Sequence, residues 1–184
     1  MFVIIDDFSR FTWVIFLSSK GTVFKEFDIF IKKTQVSLGT KLKSIGSDHG
    51  IEFENSEFLN FCNQNGVFHN FSAPRTPQQN GVVERKNRTL ENMVRTMMIE
   101  SQVPPSFWAE AIFTVVYILK RAMIRPLLMK TPYELIKGRK PNISHLRVFG
   151  CRCFIHNNGK DALGKFDPRS DEGIFTGYSL QSKA

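Results

Sequence analysis

The sequence predicts an α/β domain, a mixed sheet flanked by helices, with a small β-rich tail. Short runs of β-branched and aromatic residues alternate with helix-period segments through the first seventy residues. A long helical pattern then follows a polar loop rich in proline and glycine. Past Gly138 the texture changes to basic loops and short β runs.

The elements follow in order. Phe2 to Ile5 reads as a strand, Asp6-Asp7-Phe8-Ser9-Arg10 as a turn, and Phe11 to Leu17 as the second arm of a hairpin. From Thr22, Val23, Phe24, Phe27, Phe30 and Ile31 recur at helical spacing, with Gly39 as the stop. Leu42 to Ile45 is a strand leading into Ser47-Asp48-His49-Gly50. Ser56 is placed to cap a helix through Asn65, which Gly66 ends, and Val67 to Phe71 is a short strand. Pro74 to Gly81 reads as a loop. A long helix is expected from about Val82 to Glu100, with Val83, Leu90, Val94 and Met97 inward. Pro104-Pro105 separates it from an apolar helix over Phe107 to about Arg121. Thr131-Pro132-Tyr133-Glu134 carries the cap and first-turn proline of a short helix. The β runs of the tail are Leu146 to Ile155 and Gly173 to Gly177. A boundary near residue 143 divides the chain into 1–142 and 143–184.

Composition narrows the class. The 184 residues are 42% hydrophobic and 23% charged, values that exclude a disordered or collagen-like chain. No apolar run reaches the roughly 18 residues of a membrane span, and Met1 to Ile5 lacks the basic flank of a signal peptide. Three scattered cysteines suggest a reducing, intracellular setting. The net charge of +8 is uneven. Residues 1–72 carry seven basic against eight acidic side chains, residues 73–184 eighteen against nine. A basic half suits a polyanion, because Lys and Arg release counterions from phosphates, although a solvated basic surface has the same composition.

Two carboxylates stand at telling places. Asp48 falls at the C-terminal end of a strand, and Glu84 in the expected first turn of the long helix, with 35 residues between them. Carboxylates from separate elements that meet at a sheet edge suit Mg²⁺, which takes oxygen ligands at about 2.0–2.1 Å. Two such ions about 3.5–4 Å apart activate and stabilise oxygens in phosphodiester chemistry. Read structurally instead, Asp48 is a turn former and Glu84 an anion near a helix N-terminus. Asn87 and Arg88 lie three and four residues after Glu84, within reach of its helical face, with Arg85 and Lys86 beside them.

The motifs Ser47-Asp48-His49-Gly50 with Glu52-Phe53, and Ala73-Pro74 continuing from Thr76 to Thr89, resemble the integrase core of copia-type LTR retrotransposon Pol polyproteins. Ile5 to Arg10, Trp108 to Ala111, Thr131 to Glu134 and His145 to Cys151 extend the likeness over essentially the whole chain. The resemblance implies an RNase H-like fold of the retroviral integrase superfamily, which cuts and joins DNA ends through a D,D-35-E metal triad. Asp48 matches the second acid and Glu84 the third, both as catalytic residues and as ligands of Mg²⁺ or Mn²⁺. Asn80 matches a flexible-loop position that meets the DNA end, and Arg85, Lys86, Asn87 and Arg88 are the further DNA-contact candidates. The tail from about His145 resembles an SH3-like module that stops short of its last strand. DNA is the implied partner, with a homo-oligomer and a nuclear location expected of the intact family.

In that family the first catalytic Asp lies on a central strand upstream of the one assigned to residues 2–5. The resemblance therefore implies that this strand and its carboxylate are missing here, and that catalysis by the chain alone is doubtful. The alternative is a non-catalytic nucleic-acid-binding remnant. Asp6 and Asp7 are adjacent and so point to opposite faces of a strand, and they match the family's turn, which favours turn capping over replacement of the lost acid. His145, Cys151, Cys153 and His156 read as strand packing rather than a zinc site, since alternate thiols share one strand face. Most of the 18 phenylalanines fall on inward periodicities, which favours a core over a base-stacking platform.

Overall fold

The computed structural model describes residues 1–72, 77–159 and 163–179, and of residues 77–80 the backbone alone. It falls into two compact units, Met1–Thr89 and Leu90–Ala184.

The first unit opens with an antiparallel hairpin. Strand β1 (Phe2–Ile5) pairs with β2 (Thr12–Ile15) in the register Phe2↔Ile15. Asp6 makes the turn: its Oδ2 accepts from the Ser9 N–H at 2.7 Å and the Ser9 hydroxyl at 2.6 Å. Arg10, at φ 61°, completes the reversal and ion-pairs with Asp7. Both acids therefore serve the turn. Helix α1 (Val23–Leu38) ends where Gly39 takes the left-handed conformation. Strand β3 (Ser44–Ser47) begins two residues later than the apolar pattern indicated, because the Leu42 N–H is held by Gln35 Oε1 at 2.8 Å and turns out of the strand. Helix α2 (Ser56–Asn65) is capped by Asn55 rather than Ser56, the Asn55 Oδ1 accepting from the Phe58 N–H at 2.9 Å. Strand β4 (Phe68–Phe71) then runs parallel to β3, with Ile45 opposite His69 and Ser47 opposite Phe71.

One core serves this unit. Val23, Phe27 and Ile31 of α1 and Phe58, Phe61 and Cys62 of α2 are buried, with Phe2, Ile4 and Ile45 packed against them. Phe58 stands at its centre, 5.1 Å from the rings of both Phe24 and Phe27. The phenylalanine pattern is thus only partly core: Phe11, Phe27, Phe58, Phe61 and Phe149 are buried, whereas Phe8, Phe68, Phe71, Phe107, Phe113, Phe154 and Phe166 are exposed. Burial raises the pKa of the Cys62 thiol.

Helix α3 (Pro77–Ser101) starts five residues earlier than the sequence pattern suggested. Proline fits the first helical position, where its missing N–H has no intrahelical partner to lose, and the helix continues through Gly81. In the second unit Leu90 is fully buried and Val94, Met97 and Met98 pack on Val103, Ala111 and Phe149. Val83, expected inside, is exposed. Helix α4 (Trp108–Ala122) buries Ala111, Ile112, Val115, Val116 and Leu119 along one side. Helix α5 (Pro132–Lys137) carries a full capping box between Thr131 and Glu134.

The tail forms an antiparallel pair, β5 (Arg152–His156) and β6 (Ser170–Ile174). Cys153 lies on β5 and Cys151 just ahead of it, both as free thiols. The tail is fastened to α4. The Thr114 hydroxyl donates to the Thr176 carbonyl at 3.3 Å, and Tyr117 stacks on Tyr178. Gly150, at φ 78°, leaves no room for a side chain: a β-carbon there would lie 2.4 Å from that of Ser101. The parallel and antiparallel pairings of a mixed α/β fold are both present, but among the described residues each strand pairs only with its successor, as three two-stranded sheets.

Candidate functional site

Asp48 follows directly on β3, with its side chain exposed. The strand delivers it, and the turn beyond shapes its surroundings. Its Oδ1 accepts from the Gly50 N–H at 3.2 Å, and the Gly50 carbonyl accepts from Phe53 at 2.8 Å. Gly50 is there for space. A β-carbon on it would sit 3.0 Å from Glu52 Oε2 and 3.1 Å from Asp48 Oδ1, so both carboxylates border the same small volume. Glu52 is thus a site candidate that lies within the sequence motif without a role assigned to it there. The signal was the glycine between the two acids.

A row of ring contacts backs the turn. Ser47 is buried, its hydroxyl 2.9 Å from His69 Nε2, and the His69 ring lies 4.0 Å from that of Phe71. Burial pushes the His69 pKa down. The His49 ring stacks on Phe71 at 5.2 Å and contacts the Glu54 carboxylate. His49 and Phe71 were not predicted as site residues; only the parallel register of β3 and β4 brings them together.

Glu84 lies on α3 in the same unit, exposed, with Arg85 and Arg88 exposed beside it. The earlier start of α3 moves Glu84 out of the first turn, so the helix N-terminus does not explain its presence. Lys86 and Asn87 turn the other way. They share the helix side that buries Leu90 four and three residues on, and burial lowers the Lys86 pKa. Asn87 Oδ1 is buried and has no hydrogen-bond partner among the described residues. The five basic and amide candidates therefore divide: Arg85 and Arg88 face solvent, Lys86 and Asn87 are half-buried, and the side chain of Asn80 lies outside the described residues.

Carboxylate oxygens are the correct donors for a hard divalent cation. The number is short. Among the described residues no group of three or more His, Cys, Asp or Glu is placed to hold a metal ion.

Comparison with known proteins agrees with this architecture. Residues 1–77 match the integrase core domain family, and residues 151–184 match the retroviral polymerase SH3-like domain. A retrovirus-related Pol polyprotein from transposon TNT 1-94 of Nicotiana tabacum is 41% identical over 95% of the chain. The corresponding polyprotein from transposon RE2 of Arabidopsis thaliana is 32% identical over 99%. The chain spans only 13% and 12% of the length of these two curated relatives. Among solved structures, the HTLV-2 integrase catalytic core domain in complex with magnesium superposes with a TM-score of 0.55 at 22% identity, covering 73% of this chain and 82% of that one. A simian T-cell lymphotropic virus intasome in complex with a PP2A regulatory subunit gives 0.59 at 17% identity, covering 94% and 60%.

The fold is that of the retroviral integrase core, in the RNase H-like class, with an SH3-like segment behind it. The chain belongs to the retrotransposon Pol polyproteins, of which it is an integrase-core segment.

Proposed function

We propose that this segment serves DNA integration, with Asp48 and Glu84 as two of the carboxylates of a metal-dependent polynucleotidyl transferase centre. One observation supports this above the others: an exposed carboxylate at the C-terminal end of β3 and a second on α3, in the same compact unit, the latter flanked by solvent-facing Arg85 and Arg88. Mg²⁺ or Mn²⁺, when bound, supplies activation of the attacking oxygen and stabilisation of the leaving one. The chain's own residues do the rest. Asp48 and Glu84 offer oxygen ligands and hold negative charge at the site, with Glu52 across the turn from Asp48. Arg85 and Arg88 take DNA phosphates by bidentate hydrogen bonds. Asn80, Lys86 and Asn87 are further contact candidates, the last two from the half-buried side of α3. The described residues lack a third ligand, so transfer requires a further carboxylate from the longer polyprotein, and the functional core is proposed to extend to about residue 142.

In a polyprotein segment that includes the sequence ahead of this chain, Glu84→Gln should abolish metal-dependent strand transfer and leave DNA binding intact. Strand transfer that survives the substitution removes Glu84 from the centre.

The alternative is DNA binding without catalysis, favoured by the incomplete ligand set. It predicts affinity for a duplex oligonucleotide that falls steeply with salt and ignores Mg²⁺.

A further inference from the structure

Asp48 is exposed, but its neighbours on both sides in the chain are fastened to one strand. In the parallel register of β3 and β4, Ile45 lies opposite His69 and Ser47 opposite Phe71. Alternation puts these four side chains on one face of the pair, the face whose Ile45 packs on the core around Phe58. Ser47 and His69 are the polar members. Ser47 is buried, and the His69 ring lies 6.1 Å from that of Phe58, at the centre of the core. Apolar residues in both places would cover the core with no polar group to satisfy. The polar pair therefore serves something other than burial.

Hydrogen-bond accounting shows what. A serine hydroxyl has a single proton to give. That of Ser47 goes to the Asp48 carbonyl, 3.1 Å away, so toward His69 Nε2, at 2.9 Å, the same oxygen accepts. The His69 proton therefore sits on Nε2, and Nδ1 is bare. Burial, which pushes the His69 pKa down, keeps the ring neutral near neutral pH. The same ring lies 4.0 Å from that of Phe71, and the His49 ring stacks on Phe71 at 5.2 Å with 21° between the planes. His69 thus reaches Ser47 by a hydrogen bond and His49 through one intervening ring. The carboxylate between them stays exposed.

We propose that His69 is a positioning residue for Asp48, acting through Ser47 on one side and through the Phe71–His49 stack on the other. Its Nε2–H holds the Ser47 oxygen so that the serine proton is delivered to the Asp48 carbonyl, which fixes the peptide from which the carboxylate projects. The stack on Phe71 seats the next residue, His49. His69 touches neither metal nor DNA in this role. It narrows the directions open to the Asp48 oxygens before a cation arrives, so less freedom is lost on binding. Removing a group that holds a metal ligand in place lowers metal affinity by about 10–100-fold. The inference rests on the reading of Asp48 as a ligand of the metal-dependent centre.

The test adds Mn²⁺ alone to the full chain and follows the paramagnetic broadening of the Gly50 amide signal, whose N–H bonds Asp48 Oδ1. In His69→Phe the Mn²⁺ concentration for half-maximal broadening should rise on the order of tenfold. His69→Gln returns an N–H donor to the region of Nε2 and should recover most of that loss, which a role in core filling alone would not bring about. Ser47→Ala removes the relay without touching the ring and should weaken Mn²⁺ as His69→Phe does; it decides the matter should His69→Phe fail to fold. A long-range proton–nitrogen spectrum of the parent should show His69 protonated at Nε2 and bare at Nδ1. A proton on Nδ1 alone would overturn the inference. Asp48→Asn separates it from the reading it rests on. Broadening that persists in Asp48→Asn, or is absent from the parent, removes Asp48 from the metal centre and the inference with it. Broadening that needs Asp48 yet is unchanged by His69→Phe and Ser47→Ala overturns the inference and leaves the metal centre standing.

Discussion

The ring of Tyr178 lies 4.3 Å from that of Tyr117 with 14° between their planes, and the guanidinium of Arg121 sits 3.5 Å from the Tyr117 ring centroid. The Tyr178 hydroxyl also accepts from the Arg147 N–H at 2.7 Å and donates to the Arg147 carbonyl at 3.2 Å. One side chain thus joins helix α4 to the irregular segment ahead of β5. Tyr178→Phe keeps the stack and removes both hydrogen bonds, a destabilisation of about 1–2 kcal/mol. Tyr178→Ala removes the ring pair as well, about 1 kcal/mol more beyond the buried area. Limited proteolysis should cut the tail faster in the alanine variant; equal rates in both variants would deny the stack a fastening role.

Gly150→Ala tests the close approach of the tail to the end of α3. The left-handed backbone and the 2.4 Å approach to the Ser101 β-carbon act together. A destabilisation of about 2 kcal/mol or more is expected, seen as a lower midpoint in thermal unfolding. Gly81→Ala meets no such obstacle and should leave the midpoint unchanged or raise it.

Asn87 supplies a test of function against stability. Its buried, unpartnered Oδ1 costs about 1–3 kcal/mol, so Asn87→Leu should stabilise the chain in denaturant unfolding while weakening DNA binding. A stabilised variant with unchanged affinity would assign Asn87 no part in the interface.

Replacing Arg85 and Arg88 by Gln should reduce the slope of log affinity against log salt by about 0.9 for each duplex phosphate that is no longer neutralised. Both side chains are exposed, so the fold should be untouched. An unchanged slope places the DNA elsewhere on the basic half.

The Thr131 cap has a pH signature. The Thr131 backbone N–H and hydroxyl donate to Glu134 Oε2 at 2.8 and 2.9 Å and hold its pKa below the ordinary 4.5. A carboxyl depressed in the folded state stabilises above its unfolded pKa, and this contribution is lost as pH falls through the folded value. Thr131→Ala should cost about 1 kcal/mol near neutral pH, through loss of the cap. The difference from the parent should narrow as pH drops below about 4.5.

The elements that sequence made legible were those specified by neighbours along the chain. The hairpin turn at Asp6, the glycine stop at Gly39 and the capping box at Thr131 depend on residues two to four apart, and each is found in place. Asp48 was legible as a strand-end carboxylate for the same reason. What local pattern left out depends on pairing at a distance. The stacking of His49 on Phe71 needs the β3–β4 register, and the partition of α3 into a solvent side with Arg85 and Arg88 and an inward side with Lys86 and Asn87 needs the core around Leu90. The start of α3 is hidden from local pattern because proline and glycine are common loop formers as well. A proline at the first helical position and a glycine within a long helix are both compatible with continued α-helix.

Among the described residues the β1–β2 ladder closes over a short turn, whereas the parallel β3–β4 ladder, Ser44 opposite Phe68, waits on helix α2 between its strands. The hairpin should form first, on the order of 1–10 μs, and the parallel pair later, because its loop closure precedes its contacts. The slower event should be the docking of Gly150 and Tyr178 onto a helical hairpin already formed, and stopped-flow fluorescence of the two tryptophans, Trp13 in the early hairpin and Trp108 at the head of α4, can time the two halves separately.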